Sequence, residues 1–275
     1  MKKLFLKKTI LLTTIFTLGT PLLAYNDQDL DGVRDEIDEC PNTPFLDLVN
    51  KKGCTIKSLV SPHHYDIITG ISYSNDTSDS VSSSLQFDYY YKKFSLQASL
   101  SYYANSSTSG FNDTFIGAYY QIKPLPKLSF SFGLGVLLPT YDSTYNNNNT
   151  DYQGSMSVSY KWEKYNFFGS YSYTIVNDDD IKEVDANNVV IYSTTYQNTN
   201  YYSTGVGYYF SNKLYMSGRY SLSNSIYTDG TNIEKLSTYF YYSIDNHWFS
   251  TFSYAYGLSN SATDNYISLK LGYFF

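Results

Sequence analysis

A run of carboxylates between Asp27 and Asp38 is the part of this sequence with the most readable chemistry. Counted from Asp27, aspartates fall at positions 1, 3, 5, 9 and 12 of a loop, and Gly32 holds position 6. Alternate residues of a tight loop point the same way, so their carboxylates converge on one hard cation, and the glycine permits the sharp turn. The spacing therefore predicts a Ca²⁺ site. Its predicted ligands are Asp27, Asp29, Asp31, Asp35, Asp38 and the backbone carbonyl of Val33.

The residues after this loop extend the pattern. No apolar helical periodicity flanks the loop, so it is not a helix–loop–helix calcium site. The string D-x-D-x-D-G-x-x-D-x-x-D-x-C-P-x-T-P closely resembles a thrombospondin type 3 repeat, and Val49, Gly53 and Cys54 match that family's tail. The resemblance implies a calcium-binding repeat over residues 25–60, with Ca²⁺ on the ligands named above and a disulfide between Cys40 and Cys54. The alternative is a solvated acidic linker.

The first residues, 1–24, predict a secretory signal peptide. Four lysines precede an apolar run over 9–18, Gly19 and Pro21 interrupt it, and Ala24 is a small residue suited to cleavage. The run is shorter than the ~20 apolar residues of a transmembrane helix, and an uncleaved membrane anchor is the alternative. Without this segment, 15 of the 19 basic residues remain against 25 acidic ones. The resulting net charge of −10 argues against nucleic acid as a partner.

From Tyr65 onward, apolar residues alternate with small or polar ones, a period of two that is typical of β-strands. The last segment is the clearest, since positions 267, 269, 271, 273 and 275 form one apolar face. Segments of about 10–12 residues match tilted membrane strands and exceed the ~5–6 residues of soluble ones. Twelve segments are predicted, near 65–74, 82–91, 94–103, 113–122, 128–138, 152–162, 165–176, 199–210, 213–222, 234–244, 248–258 and 264–275.

The connections between these segments alternate in length. Short ones are expected at 92–93, 123–127, 163–164, 211–212 and 245–247, and long ones at 75–81, 104–112, 139–151, 177–198, 223–233 and 259–263. Outer-membrane barrels have short periplasmic turns and longer external loops. The sequence therefore predicts an all-β fold, an antiparallel transmembrane β-barrel of about twelve strands over residues 64–275. We expect it in the outer membrane of a Gram-negative bacterium, with both termini periplasmic.

A soluble β-sandwich shows the same alternation. The face of each strand opposite the apolar one therefore decides between a soluble sandwich and a membrane barrel. Charged residues and many serines and glutamines occupy that face, where a sealed soluble core would not tolerate them. Aromatic residues crowd the strand ends, as interfacial girdles do, at Tyr73, Tyr91, Tyr102, Trp162, Tyr165, Phe210, Tyr220 and Trp248. The final Tyr-Phe-Phe resembles the C-terminal signal of outer-membrane barrels, which implies the barrel assembly machinery as a partner.

Enzymatic chemistry is not predicted. Barrel hydrolases need a base, usually histidine, near the outer rim or the lipid face, whereas His63 and His64 precede the barrel and His247 falls in a short turn. The three acids Asp178–Asp180 in the longest loop are interpreted as a solvated tip, with a second cation site as the alternative. No mechanism is assigned to the low-complexity tip Asn146–Asn149.

Two functions remain in competition. The first is a narrow porin-like channel for small solutes, because twelve strands enclose a lumen between that of filled eight-stranded barrels and open porins. The alternative is a calcium-dependent structural or adhesion-type protein without transport, in which a periplasmic repeat is a spacer, a cap or the site of a periplasmic partner. Outer-membrane lipid and lipopolysaccharide are expected around the barrel. The predicted lumen residues are Asp88, Lys161, Arg219 and Lys270, with Gln86, Gln97 and Gln153 beside them and Tyr90, Tyr103, Tyr209, Tyr239 and Tyr241 as narrowing groups.

Overall fold

The computed structural model of this chain describes residues 29, 33–40, 43, 49–54, 63–76, 78–186 and 190–275. The chain forms two compact units, Met1–Val60 and Ser61–Phe275. The predicted signal peptide and two predicted calcium ligands, Asp27 and Asp31, lie outside the described residues. Within the described ranges, no helix is long and apolar enough to cross a membrane.

The second unit is built from strands, twelve of which form one closed antiparallel barrel. Each barrel strand pairs with its neighbours along the chain, and the first strand pairs with the last, which closes the sheet. The predicted all-β fold with an antiparallel barrel of twelve strands is confirmed. The barrel strands are β1 (His63–Asn75), β2 (Asp79–Tyr91), β3 (Phe94–Asn105), β5 (Thr114–Leu125), β6 (Leu128–Leu138), β7 (Asp151–Trp162), β8 (Tyr165–Ile175), β11 (Thr199–Tyr209), β12 (Leu214–Ser223), β13 (Ile233–Ser243), β14 (Trp248–Gly257) and β15 (Asn265–Phe274).

Three short strands lie in the connections. The strand β4 (Ser109–Phe111) pairs with the end of β3, while β9 (Ile181–Val184) and β10 (Val190–Thr194) form a separate hairpin. None of these was predicted, because each is too short to show a clear alternation of its own. In contrast, no predicted bound of a barrel strand differs from the observed one by more than three residues.

The two ends of the barrel differ. At what we call the turn end, β1 begins, β15 ends, and the connections are 92–93, 126–127, 163–164, 210–213 and 244–247. At the opposite loop end, the connections are 76–78, 106–113, 139–150, 176–198, 224–232 and 258–264. The first loop is shorter than the predicted 75–81, because the β1–β2 pairing continues to Asn75 and Asp79. The Asn75 amide also donates to the Asp79 carboxylate at 2.6 Å.

The distribution of burial is the reverse of that in a soluble protein. Large apolar side chains point outward and stay exposed, for example Leu134 at 76 % and Ile71 at 63 %. Among the described residues, the buried side chains are mostly small or polar, such as Ser268 and Ser217, and the barrel has no apolar core. The predicted girdle residues Trp162, Phe210 and Trp248 are among the exposed aromatics at the turn end. This arrangement fits a barrel whose outer face meets lipid hydrocarbon.

In the first unit, a disulfide joins Cys40 to Cys54, as predicted, with Cα atoms 5.0 Å apart. The Thr43 hydroxyl bridges the two sides of this segment, since it lies 2.8 Å from the Cys40 carbonyl and 2.7 Å from the Gly53 carbonyl. Gly53 has a φ of 73°, a left-handed conformation that favours glycine. Local hydrogen bonds and one covalent bridge therefore connect the described residues of this segment.

Candidate functional site

The inner wall of the barrel carries polar and charged side chains in the register opposite to the exposed apolar stripe. All four predicted lumen residues occupy inward positions. Lys161 Nζ lies 5.1 Å from the Tyr209 ring centroid, and Arg219 Cζ lies 5.2 Å from the Phe168 ring centroid. Both cations thus face aromatic rings at distances suited to cation–π contact. On the remaining wall, the Gln86 amide donates to the Asp88 carboxylate at 2.7 Å.

Two polar cavities lie along this inner wall. One, of about 310 Å³, is lined mainly by serines together with Lys270 and Tyr266. The other, of about 280 Å³, is lined by serines with Asn166, Arg219 and Tyr239. Each cavity holds one basic side chain, and the first cavity also holds the acid Asp113. The lumen thus offers space for small polar molecules beside hydroxyl groups and a few charged side chains.

A third hollow, of about 560 Å³, lies on the outward face and belongs to a different environment. Its walls are apolar and include Leu134, Val136 and Ile175. It forms around Gly154, where an added Cβ would meet nothing within 4 Å. Hydrocarbon is the medium that fits such a surface, so this hollow is separate from the lumen.

Four tyrosines lie at the loop end of the barrel, and we call them the mouth cluster: Tyr103, Tyr141, Tyr196 and Tyr227. The Tyr103 and Tyr141 ring centroids are 6.2 Å apart, and those of Tyr196 and Tyr227 are 5.5 Å apart. Burial raises the pKa of Tyr141, and the hydroxyls of Tyr103, Tyr227 and Tyr196 raise it further. Tyr141 therefore contacts Tyr103 directly and interacts with the other two tyrosines only through electrostatics.

The position of these rings in the strand order shows what they span. Tyr103 is on β3, and Tyr227 belongs to the loop between β12 and β13, about half of the barrel circumference away. Tyr141 comes from the loop between β6 and β7. Its ring contacts Tyr103, and its hydroxyl interacts electrostatically with Tyr227 and Tyr196. The mouth cluster therefore crosses the loop end of the lumen with aromatic rings and hydroxyl groups.

The asparagine-rich tip holds the longest loops in place. Asn147 is buried, and its side-chain amide donates to the Asp179 carbonyl at 3.1 Å and to the Tyr196 hydroxyl at 3.0 Å. The Asn149 backbone N–H donates to an Asp178 carboxylate oxygen at 2.9 Å. These bonds connect residues about thirty to fifty positions apart in sequence, so they fix the loop that carries Tyr141 against the loop that carries Tyr196.

The three acids at 178–180 differ from the predicted solvated tip. Asp179 and Asp180 are exposed, but the Asp180 carboxylate accepts the Tyr196 N–H at 2.9 Å and the Asp179 carboxylate accepts the Asn149 amide at 3.1 Å. Partial burial raises the pKa of Asp178, with a further rise from the Asp113 and Asp179 carboxylates. The acids are hydrogen-bond acceptors for neighbouring loops, a role that requires tertiary contacts and has no local sequence pattern.

Residues 57–274 match a protein family described as "Putative MetA-pathway of phenol degradation". The chain belongs to this family. The match covers the whole barrel and excludes the carboxylate run at 27–38. No curated protein matches the chain in sequence.

Solved structures of outer-membrane channels share the fold of this family member. The COG4313 outer membrane channel from Pseudomonas putida F1 superposes with a TM-score of 0.61 at 9 % identity, over 78 % of this chain and 97 % of that one. The NanC porin gives a TM-score of 0.51 at 14 % identity, over 77 % and 98 %. The KdgM porin in complex with disordered oligogalacturonate gives 0.51 at 12 % identity, over 76 % and 98 %. The chain therefore has the β-barrel fold of these outer-membrane proteins.

Outside the family match, the structure describes only some of the residues of the predicted calcium site. An oxygen of the Asp29 carboxylate accepts the Thr43 N–H at 2.7 Å, while the other oxygen is buried without a partner among the described residues. An oxygen of the Asp38 carboxylate accepts the Cys40 N–H at 2.8 Å. Within the described part of the chain, no three Asp, Glu, His or Cys side chains converge on a point. Since Asp27 and Asp31 are not described, the full ligand set, with Val33 and Asp35, stays a prediction.

The histidines of this family member lie at the turn end, and the prediction that His63 and His64 precede the barrel was wrong, because both pair with β2 as the first residues of β1. His247 is in the turn between β13 and β14, as predicted, and its Nδ1 lies 2.9 Å from the Phe274 carbonyl. The His64 ring stacks on Phe274 with centroids 5.5 Å apart. The His63 Nδ1 lies 2.7 Å from the Tyr89 hydroxyl. Each ring thus takes part in packing where the barrel begins and ends.

Sequence reasoning missed one inward residue of consequence, Asp66. It lies directly across from Asp88 in the β1–β2 pairing, and both carboxylates are buried, with exposures of 6 % and 7 %. The alternation along β1 could have indicated its inward orientation, because Asp66 shares its face of the strand with other even-numbered residues that point inward. That two buried acids face each other could not be derived without the strand register.

Proposed function

We propose that this barrel is a narrow porin-like channel for small solutes and that it favours solutes with an aromatic ring. The observation that carries the proposal is the mouth cluster, whose rings span the entrance of a lumen lined by hydroxyl groups. Tyrosine rings stack on planar solutes, and their hydroxyls hydrogen-bond to polar substituents. Such an entrance admits small molecules that can exchange contacts with the rings.

The lumen chemistry supports a small and mostly uncharged solute. Lys161 and Arg219 face aromatic rings, and Lys270 lies in a cavity otherwise lined mainly by neutral side chains. Isolated charges of this kind attract and orient polar groups without forming a long track for a charged polymer. The family description, which refers to phenol degradation, agrees with a hydroxylated aromatic solute. The protein acts in this proposal as a channel and not as an enzyme.

We also propose that the turn end faces the periplasm and the loop end faces the outside. Outer-membrane barrels place their short turns in the periplasm and their longer loops outside, and twelve strands return the chain to the side on which it began. Residues 25–60 then lie in the periplasm, where they act as a calcium-stiffened spacer or cap. Labelling of intact cells by an antibody to residues 25–60 would contradict this orientation and would favour the adhesion-type alternative.

The calcium proposal has support of its own. The buried Asp29 oxygen without a partner is a donor of the type that Ca²⁺ coordinates, and the neighbouring backbone N–H groups already satisfy the second oxygen of Asp29 and one oxygen of Asp38. A bound cation would remove the cost of leaving a buried carboxylate oxygen unsatisfied. The remaining ligands would be those named from the sequence.

Ion current through the purified protein in a planar bilayer tests the channel proposal. We expect stepwise current from folded protein, which is recognised by its faster migration on a denaturing gel before boiling. Phenol should reduce the open-channel current at least several-fold more than cyclohexanol, which has a similar size and one hydroxyl but no aromatic ring. Folded protein without current would overturn the channel, and equal effects of the two alcohols would overturn the aromatic preference.

A further inference from the structure

Two buried carboxylates face each other on the inner wall near the turn end. Asp66 on β1 and Asp88 on β2 are direct cross-strand partners, and both side chains point inward. Their exposures are 6 % and 7 %, and the carboxylates are close enough to repel each other. Like charges directly opposite in a sheet are destabilising, so this pair requires compensation from another group.

The protein supplies only part of that compensation. The Tyr90 hydroxyl donates to one oxygen of Asp66 at 3.3 Å, and the Gln86 amide donates to one oxygen of Asp88 at 2.7 Å. The second oxygen of Asp66, Oδ1, is buried and has no hydrogen-bond partner. No lysine or arginine nitrogen of the described residues makes an ion pair with either acid. The Lys270 ammonium offsets part of the Asp88 charge without forming an ion pair within 4.0 Å.

We propose that Asp66 and Asp88 together bind a hard divalent cation in the lumen, of the Ca²⁺ or Mg²⁺ type. Two carboxylates provide the charge that such a cation neutralises, and Asp66 Oδ1 provides a free oxygen ligand. Further oxygens are at hand in the Tyr90 hydroxyl and in the side chain of Gln97, which is across from Asp88 on β3 and whose Oε1 accepts the Tyr119 hydroxyl at 3.3 Å. Water in the lumen completes the coordination shell, as both cations commonly allow.

This site is separate from the calcium segment predicted at 25–60, and it does not depend on ion conduction. It ties β1 to β2 where the barrel begins, next to the seam at which β1 meets β15. A bound cation would replace repulsion across this strand pair with attraction to a shared ion. The expected consequence is a barrel that resists unfolding better when divalent cations are present.

Counting calcium ions bound to the purified full-length protein tests the site. The test variant carries Asp66→Asn and Asp88→Asn, which keep side-chain shape but remove both charges. The matched control is Asp79→Asn, on the same pair of strands but at the loop end. We expect the double variant to bind one Ca²⁺ fewer per chain than the wild type, while the control binds the same number. The predicted segment at 25–60 stays intact in all three proteins and contributes equally.

A second measurement covers the case in which the double variant folds poorly. Asp66→Asn alone removes the ligand with the free oxygen and should raise the dissociation constant of this one ion at least tenfold. Folded protein is selected by its unheated migration on a denaturing gel. Equal ion counts in the wild type and the folded double variant, or an unchanged affinity in Asp66→Asn, would overturn the proposal. These experiments measure no ion current. A negative result would therefore overturn the cation site without affecting the channel proposal.

Discussion

The Tyr103 and Tyr141 rings lie 6.2 Å apart, although one belongs to the barrel wall and the other to a loop three strands further along the chain. Tyr141 also interacts with Tyr196 and Tyr227 on the far side of the loop end. A single loop residue therefore connects two sides of the entrance. This relationship makes Tyr141 the residue whose removal should change passage most.

Tyr141→Ala is expected to increase the single-channel current and to weaken the block by phenol, because it removes the ring that spans the entrance. We expect a clear rise in conductance, up to about twofold, and a loss of most of the difference between phenol and cyclohexanol. Tyr145→Ala is the control, since Tyr145 is an exposed tyrosine of the same loop that stacks on Tyr192 instead. Identical currents for both variants would contradict the role of the mouth cluster.

Asn147→Ala should loosen the loops at the entrance. The substitution leaves the Asp179 carbonyl and the Tyr196 hydroxyl without their amide donor, at a cost of about 1–3 kcal/mol for lost buried hydrogen bonds. Trypsin should then cut the folded barrel after Lys182, in the adjoining loop, at least several-fold faster. Thr144→Ala, an exposed substitution in the same loop, should leave the cutting rate unchanged. Equal rates for the two variants would show that Asn147 does not hold these loops.

Asp29→Asn should weaken calcium binding by the segment at 25–60 at least tenfold, since an amide donates only one neutral oxygen to a hard cation. Isothermal titration of the full-length protein with Ca²⁺ would measure the change. Glu36→Gln removes an equal charge from an exposed residue outside the predicted ligand set and should have little effect. If both variants bind calcium as the wild type does, Asp29 is not a ligand.

Phe275→Ala should reduce the amount of folded barrel in the outer membrane several-fold. Phe275 is exposed at 59 %, its N–H donates to the Tyr65 carbonyl at 2.9 Å, and its ring meets Tyr273, with centroids 4.7 Å apart. Loss of the ring removes the proposed signal for the assembly machinery while the backbone bond stays. Phe210→Ala, which truncates another exposed aromatic at the turn end, is the control. The ratio of unheated to boiled forms on a gel would report the outcome, and equal yields would argue against a special role of Phe275.

The barrel could be predicted from the sequence because the alternation of residue types along a strand is a local pattern. A strand in a membrane barrel alternates lipid-facing and inward residues, so segments such as 128–138 can be recognised without knowing their partners. The disulfide between Cys40 and Cys54 was predicted from the resemblance of its segment to a known repeat. The contacts of Asn147 could not be predicted from the sequence, because a loop tip of repeated asparagines has no periodicity that indicates which residues it contacts.

The sequence by itself determined the number of barrel strands, which residues share a face, and the acidic segment that precedes the barrel. Only the tertiary structure decided that Asp66 faces Asp88 and that Tyr141 meets Tyr103. The physical reason is that alternation fixes the side of a strand on which a residue lies, but closure and register fix what lies opposite it. Long loops have neither alternation nor strand register, so only the folded structure shows which residues they contact across the entrance.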